Sequence, residues 1–594
     1  MKKNRMAWAA KAAALAVVVG LSACGGGGGG GGASSPASAP TPEPVVIKPS
    51  NEQARRFLLQ ASFGPTDASI EAVMRLGYEA WIDDQLAKPA SSHRLNWDNA
   101  DAAIRAAKAA GTGTGKATNA GAGEVLDSFY KVAVTGDDQL RQRLAYALSQ
   151  IFVVSLAQGA LGEQPRSVAA YLDMLAKEGT GSYRDLLQQV ALHPAMGIYL
   201  SHLRNQKEDP LTGRVADENF AREVMQLFSI GLQELNTDGG PKLDGTTPRP
   251  SYGPEDVSGL AKVFTGWSWD GPDTDNNRFA GWCPTFCEPD RLIQPMQGYG
   301  QYHSISEKRF LGTVVAAQSK AKPEASLKAA LDTLAAHPNV GPFIGRQLIQ
   351  RLVTSHPSPA YVARVAQAFG PSGNMKAMLK AVLLDREARE PAAADANAYG
   401  KLREPVLRLT QTLRALESSS DSGAWLIRST DDPAAQLGQS PLRSPSVFNF
   451  YRPGYVFAGG ETGAAKLTMP ELALVNESSV AGYSIYMRNG LSSGFGPSGL
   501  DGKNGRPDVQ LALTAESALA DKPAELVNLV SAKLLGARSN AELKAEIVAA
   551  VESVKLDALK ADASNQKTVD EQRRNRARMA VYLSVLSPEY MVQK

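Results

Sequence analysis

The sequence contains few of the residues that carry enzyme chemistry near neutral pH, with 3 cysteines and 6 histidines among 594 residues. It has no Cys-x-x-Cys-His run, so no covalent c-type haem is expected. It also lacks a phosphate-binding loop ending in Lys-Ser/Thr and the zinc-protease pattern His-Glu-x-x-His. No cofactor is therefore predicted from a motif.

Neither sign of charge dominates, because the sequence has 63 Lys and Arg residues and 60 Asp and Glu residues. This balance gives no electrostatic reason to bind nucleic acid. The apolar fraction of 43% is ordinary for a globular protein and excludes disorder from end to end. Only one apolar run approaches the roughly 20 residues of a membrane-spanning helix, which excludes a multi-span membrane protein.

That run lies at the N-terminus, where Ala12–Leu21 follows four basic residues and precedes Leu21-Ser22-Ala23-Cys24. A basic start, a short apolar middle and small residues at the end are typical of a signal peptide, here residues 1–23. The ending resembles a bacterial lipobox, which implies that Cys24 becomes the acylated N-terminus and that palmitate-like chains hold it on a membrane. A signal anchor with an incidental cysteine is the alternative. Removing the leader lowers the formal charge from +3 to −1.

A tether is predicted over residues 24–50. The eight glycines Gly25–Gly32 make it flexible, and the Ser-, Pro- and Ala-rich stretch to Ser50 extends it. The residue after Cys24 is Gly25 rather than aspartate, which by the sorting pattern of such lipoproteins favours the outer membrane of a Gram-negative bacterium. We therefore predict a lipid-anchored protein of the cell envelope.

The other two cysteines, Cys283 and Cys287, form the pair available for a disulfide in an oxidising compartment. A zinc site would need two more ligands, and no further Cys or His lies near them in the sequence. A disulfide that closes a local loop is therefore the prediction.

Helical spacing of apolar residues dominates from Asn51 onward, as in Gln139–Ser155 and Val340–Val353. No fixed-period repeat is present, which argues against a solenoid. Three stretches rich in Gly, Pro and aromatic residues interrupt the helical pattern: 236–253, 266–300 and 441–460. The prediction is a mainly α fold, a single large helical domain over residues 51–594 with long irregular loops.

The densest polar cluster falls within Asp217–Phe228, where helical geometry places Asn219, Arg222 and Glu223 along one face. The structural interpretation is that Arg222 forms an ion pair with Glu218, four residues earlier. The functional interpretation is that Asn219, Arg222 and Glu223 project into a pocket as an acid/base or ligand-orienting set. Both interpretations stay open at the level of sequence.

The run ENFAREVMQLFSIG, from Glu218 to Gly231, resembles the hallmark helix of a bacterial family known as domain of unknown function 1800. Further blocks resemble that family in the same order: residues 54–64, 192–196, 252–267, 337–339, 444–448 and 587–590. The resemblance covers residues 51–594 and implies a fold class without a settled activity. Members are often encoded beside a sulfatase-like protein, which implies a partner at the cell surface.

His303, Lys308 and Leu311-Gly312 resemble a family block that reads His-Asp-x-x-x-Lys-x-x-Leu-Gly, with Ser304 in place of the aspartate. His303 and Lys308 are therefore candidate catalytic residues, and a structural role for the histidine is the alternative. Glu223, Asp256 and His303 are weak candidates for a metal site of two carboxylates and one histidine.

Two hypotheses on function follow. The first is a scaffold or partner-binding protein of the envelope, in which loss of Arg222 from a buried pair is expected to unfold the protein. The alternative is an enzyme, or a degenerate enzyme, that acts on an extracellular polymer such as a glycan. Its site would combine carboxylates of residues 218–256 with aromatic rings of the 267–302 segment stacked on sugars.

Overall fold

The structure is a computed structural model that describes residues 48–112, 117–282, 288–390, 394–499 and 505–594. The predicted signal peptide, the lipid site Cys24, the tether as far as residue 47 and the predicted disulfide of Cys283 and Cys287 lie outside these ranges. Within them, no helix combines the length and apolar character needed to cross a bilayer.

The fold is mainly α, as predicted, with twenty-six α-helices in the described ranges. The first eleven are α1 (Asn51–Ala61), α2 (Asp67–Leu76), α3 (Tyr78–Ala87), α4 (His93–Ala109), α5 (Ala122–Thr135), α6 (Gln139–Ser149), α7 (Gly159–Gly162), α8 (Pro165–Glu178), α9 (Tyr183–Leu192), α10 (Pro194–Tyr199) and α11 (Asn219–Gln226). The next eight are α12 (Pro254–Val263), α13 (Asn276–Ala280), α14 (Pro323–Ala336), α15 (Val340–Leu352), α16 (Pro359–Phe369), α17 (Met375–Leu384), α18 (Arg386–Arg389) and α19 (Pro405–Ala415). The last seven are α20 (Gly460–Ala464), α21 (Glu477–Ser493), α22 (Thr514–Ala518), α23 (Pro523–Leu534), α24 (Ala541–Ser553), α25 (Gln566–Leu586) and α26 (Pro588–Met591).

The strands are short and form small antiparallel ladders between the helices. They are β1 (Leu243–Asp244), β2 (Thr247–Pro248), β3 (Trp267–Ser268), β4 (Gln297–Gly298), β5 (Lys308–Phe310), β6 (Thr313–Val315), β7 (Lys401–Leu402), β8 (Ser418–Ser420), β9 (Phe495–Ser498), β10 (Pro507–Leu511) and β11 (Val592–Gln593). Each pairs with one neighbour except β10, which lies between β8 and β9. Several ladders fall within the predicted irregular stretches, so these loops are held by local backbone pairing.

Side-chain caps start many of the helices. In α1, the Ser50 hydroxyl accepts from the Gln53 amide at 3.3 Å, and the Gln53 side chain accepts from the Ser50 amide at 2.9 Å. This reciprocal box satisfies two amides that the helix itself leaves unpaired. The buried face of α1 then packs Phe57 edge-on against Trp81 of α3, with ring centroids 5.2 Å apart. The apolar periodicity thus becomes a packed helical core.

One predicted helix is shorter than expected. The apolar pattern of 139–155 predicts a single helix, but α6 ends at Ser149. The backbone turns there because Gln150 is held from two sides. Its side-chain amide donates to Glu404 at 2.5 Å, and its carbonyl accepts from Arg351 at 2.8 Å. Long-range hydrogen bonds therefore override the local helical pattern.

A buried polar layer crosses the core between α6, α15 and the start of α19. Lys401 lies 3.0 Å from Glu471, and both side chains are at most 2% exposed. The Arg143 guanidinium donates to the Arg351 carbonyl at 2.6 Å. Buried charges need such partners because water is excluded. The layer fixes the position of α15, whose polar side chains line the cleft described below.

Candidate functional site

The polar helix predicted around Glu223 is α11. The Arg222 guanidinium lies 3.1 Å from the Glu218 carboxylate, and the two side chains are 47% and 45% exposed. This is the ion pair of the structural interpretation. Asn219 donates to the Leu200 carbonyl at 3.3 Å. The expectation that Arg222 belongs to a buried pair is wrong, and an exposed pair contributes about 1 kcal/mol or less, so the structure gives no reason to expect that Arg222→Ala unfolds the protein.

Glu223 differs from its neighbours on α11 because its side chain is buried, with 8% exposure. Burial raises the pKa of its carboxyl, and the nearby Arg222 charge opposes this only in part. Among the described residues, its Oε2 has no hydrogen-bond partner. Glu223 is therefore the member of the predicted set with the properties of a proton donor or acceptor.

His303 is fully buried and both of its ring nitrogens are engaged. Nδ1 lies 2.8 Å from the Thr265 carbonyl oxygen and Nε2 lies 3.1 Å from the Ser326 hydroxyl. The carbonyl can only accept, so Nδ1 carries the proton and Nε2 accepts from Ser326. Burial lowers the pKa of His303 to about 4, so the ring is neutral at pH 7. These contacts tie three chain segments together.

Lys308 is buried beside it and donates to the carbonyl oxygens of Ser304 at 2.8 Å and Ser306 at 3.2 Å. Burial lowers the pKa of the Lys308 ammonium group to about 8. The hydroxyl of Ser304, which stands where the family block has aspartate, donates to Glu208 at 2.8 Å. A carboxylate thus reaches this loop from a distant position in the sequence.

The weak metal set does not form. Asp256 accepts from the Gly253 amide at 2.7 Å and the Leu311 amide at 2.6 Å, so its carboxylate caps α12 and holds a loop. Throughout the described ranges, no group of three or more His, Cys, Asp or Glu side chains could hold a metal ion. Glu223, Asp256 and His303 are therefore not brought together as ligands.

The aromatic residues proposed to stack on sugars mostly pack the loop itself. Trp267 is 3% exposed, and the Tyr299 hydroxyl donates to the Trp269 carbonyl at 2.6 Å. Phe279 and Tyr302 stack on each other with ring centroids 3.7 Å apart. Trp282 is the exception, at 60% exposure. Among the described rings of this segment, Trp282 is a single exposed indole and no platform of several rings forms.

Residues 490–499 match the spacing of two catalytic or cofactor motifs, Gly-x-Ser-x-Gly and Gly-x-Gly-x-x-Gly. Both motifs require a strand before the turn and a helix after it. Here the order is reversed, because α21 ends at Ser493 and β9 follows. The carbonyl of Ser492 accepts from Arg578 at 3.1 Å. These residues form a helix-to-strand turn and not a nucleophile elbow.

A cleft of about 460 Å³ opens beside the C-terminal end of α11. We call it the arginine cleft. Its polar side chains are Arg346, Gln347 and Arg351 of α15 together with Gln150, Gln226, Gln233 and Arg452. Its apolar walls come from the turn after α11, from α15 and from residues 447–454, namely Leu227, Ile230, Leu232, Leu235, Pro342, Phe343, Val447, Phe448 and Pro453. None of the described residues that line it is acidic.

Among the described residues, no cation of the cleft forms an ion pair, although the charges of Glu404 and Glu471 act on Arg351 from outside the cleft lining. Burial lowers the pKa of Arg346 with no opposing acid nearby, and within the described chain this guanidinium forms no ion pair. Arg351 donates to the Gln150 carbonyl at 2.8 Å, yet its Nε has no partner there. The Nε2 of Gln347, a residue 5% exposed, is also unpaired within the described residues. Arg452 stacks on the Phe448 ring with its Cζ 4.1 Å from the centroid.

Asn339, which precedes α15, shapes the wall opposite the arginines. Its side-chain amide donates to the carbonyls of Ile230 at 2.8 Å and Gln233 at 2.7 Å, and its oxygen accepts from the Leu235 amide at 2.9 Å. Gly231 has φ of +72°, and a Cβ there would lie 2.8 Å from Phe343. Only glycine fits that position without strain. Residues of two family-like blocks, 218–231 and 337–339, therefore shape this wall of the cleft.

The sequence predicted α15 but none of the cleft arginines. A signal was present, since Arg346, Gln347, Gln350 and Arg351 interrupt an otherwise apolar helix at spacings of one, four and five residues. Such residues on a buried helix face need partners or a ligand. The side-chain nitrogen of Gln350 donates to the carbonyls of Ser355 and Pro453 at 2.9 Å each, whereas its side-chain oxygen has no partner among the described residues.

Comparison with known proteins gives a family and no activity. A sequence model of the family described as "Protein of unknown function (DUF1800)" matches residues 56–592. Searches of curated proteins and of solved structures found no match. The family match confirms the resemblance drawn from the ENFAREVMQLFSIG helix and the blocks around it.

Proposed function

Since this chain belongs to the DUF1800 family of proteins of unknown function, we propose its function from its own residues. It is a lipid-anchored, partner-binding protein of the bacterial cell envelope that holds an acidic segment of another protein in the arginine cleft. The observation that carries this proposal is a cleft without acidic lining residues. Among the described residues, the Nε2 of Gln347 and the Nε of Arg351 have no hydrogen-bond partner there, and the Arg346 guanidinium forms no ion pair.

The location rests on the N-terminal sequence. The basic start, the apolar run and Leu-Ser-Ala-Cys support cleavage before Cys24 and acylation of its sulfur, and Gly25 supports delivery to the outer membrane. Acyl chains attach a protein by burying methylene groups in the bilayer. In a Gram-negative host fed with labelled palmitate, we expect label on the wild-type protein and none on Cys24→Ala. A wild-type protein without label, or one found in the cytoplasm, contradicts this part.

The chemistry of the cleft defines the partner segment. A guanidinium binds a carboxylate through two parallel hydrogen bonds, and this geometry is strongest where water is excluded. An uncompensated charge that is largely buried is costly, so an incoming carboxylate relieves an existing penalty. The apolar walls suit aromatic or aliphatic residues next to the acid. The segment therefore carries Glu or Asp residues beside Phe or Leu.

A fluorescent peptide that alternates Glu and Phe is the first probe, with a Lys/Phe peptide of the same length as its charge control. We expect saturable binding of the acidic peptide and at least tenfold weaker binding by Arg346→Gln. Arg105→Gln is the matched control, because Arg105 is 62% exposed on α4 and belongs to no part of the cleft. Equal binding of both peptides, or unchanged affinity in Arg346→Gln, contradicts the proposal. The sulfatase-like protein encoded beside family members is the first natural partner to test.

An enzyme acting on an extracellular polymer remains the second candidate, because Glu223 keeps one observation in its favour. Its unpaired, buried carboxyl lies one helical turn before Gln226, which lines the cleft. If it transfers a proton to a glycan, Glu223→Gln abolishes release of reducing ends without lowering the melting temperature. Absence of activity in the wild-type protein, or full activity in Glu223→Gln, removes this candidate.

A further inference from the structure

A second cavity, of about 380 Å³, lies where α19 and α21 meet the end of α25. It shares no lining residue with the arginine cleft. Its walls are mostly apolar and include Leu437, Leu474 and Leu586. Its size falls in the range of about 300–1,000 Å³ that is usual for small-molecule sites.

Arg408 of α19 lines this cavity and is 6% exposed. Its Cζ lies 4.2 Å from the centroid of the Tyr483 ring, so the cation rests on an aromatic face. Within the described chain, the guanidinium also hydrogen-bonds the Tyr483 side chain, but its Nε has no hydrogen-bond partner and it forms no ion pair. Arg408 is therefore a buried cation without a protein anion.

The carboxylate that also lines the cavity does not neutralise Arg408. Glu471 lies 3.0 Å from Lys401 and accepts from the Ser355 hydroxyl at 2.6 Å. A second lining arginine, Arg403, is 1% exposed and donates to the Gln411 side chain and the Leu407 carbonyl. The cavity thus holds two guanidinium groups and one carboxylate that is already paired. Neither guanidinium is neutralised by a carboxylate among the described residues, so an anion that enters the cavity finds an unpaired cation at Arg408.

The cavity opens to solvent along an apolar edge. Val475 and Val480 both line it, and they are 42% and 59% exposed. A ligand that fits both the buried guanidinium and the apolar opening needs an anionic head group to bind Arg408. It also needs an apolar chain that extends towards the solvent past these valines. We propose that this cavity binds a long-chain carboxylate, with the fatty-acid head group on Arg408 and the chain against the leucines. The proposal does not depend on the arginine cleft.

Calorimetric titration of residues 24–594, expressed without the predicted signal peptide and with Cys24→Ala so that no acyl chain is attached, tests this with dodecanoate below its micelle concentration. We expect one site per chain, at least tenfold weaker binding of dodecanol and no detectable binding of acetate. This pattern requires both the head group and the chain. No binding of dodecanoate, or equal binding of dodecanoate and dodecanol, overturns the proposal. Binding of a lysophospholipid in preference to dodecanoate also overturns it.

Two variants locate the site. Arg408→Met keeps an unbranched side chain over Tyr483 and should lower the affinity for dodecanoate at least tenfold, to that of dodecanol. If Arg408→Met does not fold, Val480→Glu gives the second test, because an exposed carboxylate at the mouth repels the ligand. Val314→Glu is its matched control, since Val314 is 50% exposed on β6 and away from the cavity. Unchanged affinity for dodecanoate in Val480→Glu and in any folded Arg408→Met contradicts the site.

Binding of the acidic peptide in the arginine cleft should be unaffected in both variants.

Discussion

The loop of residues 303–308 and the arginine cleft use buried polar side chains in opposite ways. In the loop, both nitrogens of His303 and the ammonium group of Lys308 find partners in the protein itself. In the cleft, the Nε of Arg351 and the Nε2 of Gln347 find none within the described chain. A buried polar group that is already satisfied holds a fold together, whereas an unsatisfied one at an opening is available to a ligand. The loop is therefore architectural, and the cleft is the region for which we propose binding.

The largest expected effect is on stability in the loop. His303→Ala removes a fully buried ring and leaves the Thr265 carbonyl and the Ser326 hydroxyl without it, so we expect a loss of about 3 kcal/mol in the free energy of unfolding. Urea unfolding followed by circular dichroism measures it. Arg309→Ala, on the neighbouring strand and 66% exposed, is the control. A loss below 1 kcal/mol for His303→Ala would remove the architectural role.

The same histidine predicts a pH dependence. With a pKa of about 4 in the folded protein and 6.5 as its ordinary value, His303 binds its proton more readily when unfolded. The contribution of neutral His303 to the free energy of unfolding is therefore fully present above pH 6.5. It is lost as the pH drops towards 4, and the loss is about 3 kcal/mol at most. Melting temperatures of the wild type and His303→Gln should converge over this window. Parallel curves would contradict the prediction.

A smaller change in the free energy of unfolding, this time an increase, is expected from a substitution in the arginine cleft. Gln347→Met has a similar volume and removes an amide donor that has no partner among the described residues, so the unliganded protein should gain about 1 kcal/mol of stability. The same change should weaken binding of the Glu/Phe peptide. Thermal melts with and without peptide measure both effects. A destabilised variant would show that this amide has a structural role.

The smallest effect is expected at the exposed pair of α11. Arg222→Ala should change the free energy of unfolding by about 0.5 kcal/mol, because solvent screens the pair. Glu218→Ala should match it, and the double variant should lose no more than either single one. A loss above 2 kcal/mol would mean that Arg222 has a further buried partner.

The helical fold could be predicted from the sequence because apolar periodicity is a local property. Val340–Val353 corresponds to α15 almost residue for residue. The predicted end of the helix that begins at Gln139 was wrong because residues distant in the sequence determine where it ends. Glu404 and Arg351 hold Gln150 and end α6 six residues before the apolar pattern does. No local pattern shows that such partners will be present.

The site was harder to predict because partnering depends on tertiary structure. The sequence identified Glu223 and His303 as unusual polar residues, yet only the structure shows that His303 is satisfied and that Glu223 keeps an unpaired oxygen. Arg346 looked like an ordinary helix residue. Its lack of an acidic partner depends on elements that are distant in the sequence.

The most direct test of the central claim is a crystal structure of the protein with the Glu/Phe peptide bound. The account predicts a peptide carboxylate within hydrogen-bond distance of Arg346 and of the free Nε of Arg351, with a peptide phenyl ring against the apolar wall at Phe343. A peptide bound elsewhere on the molecule, with the arginine cleft unoccupied, would contradict it.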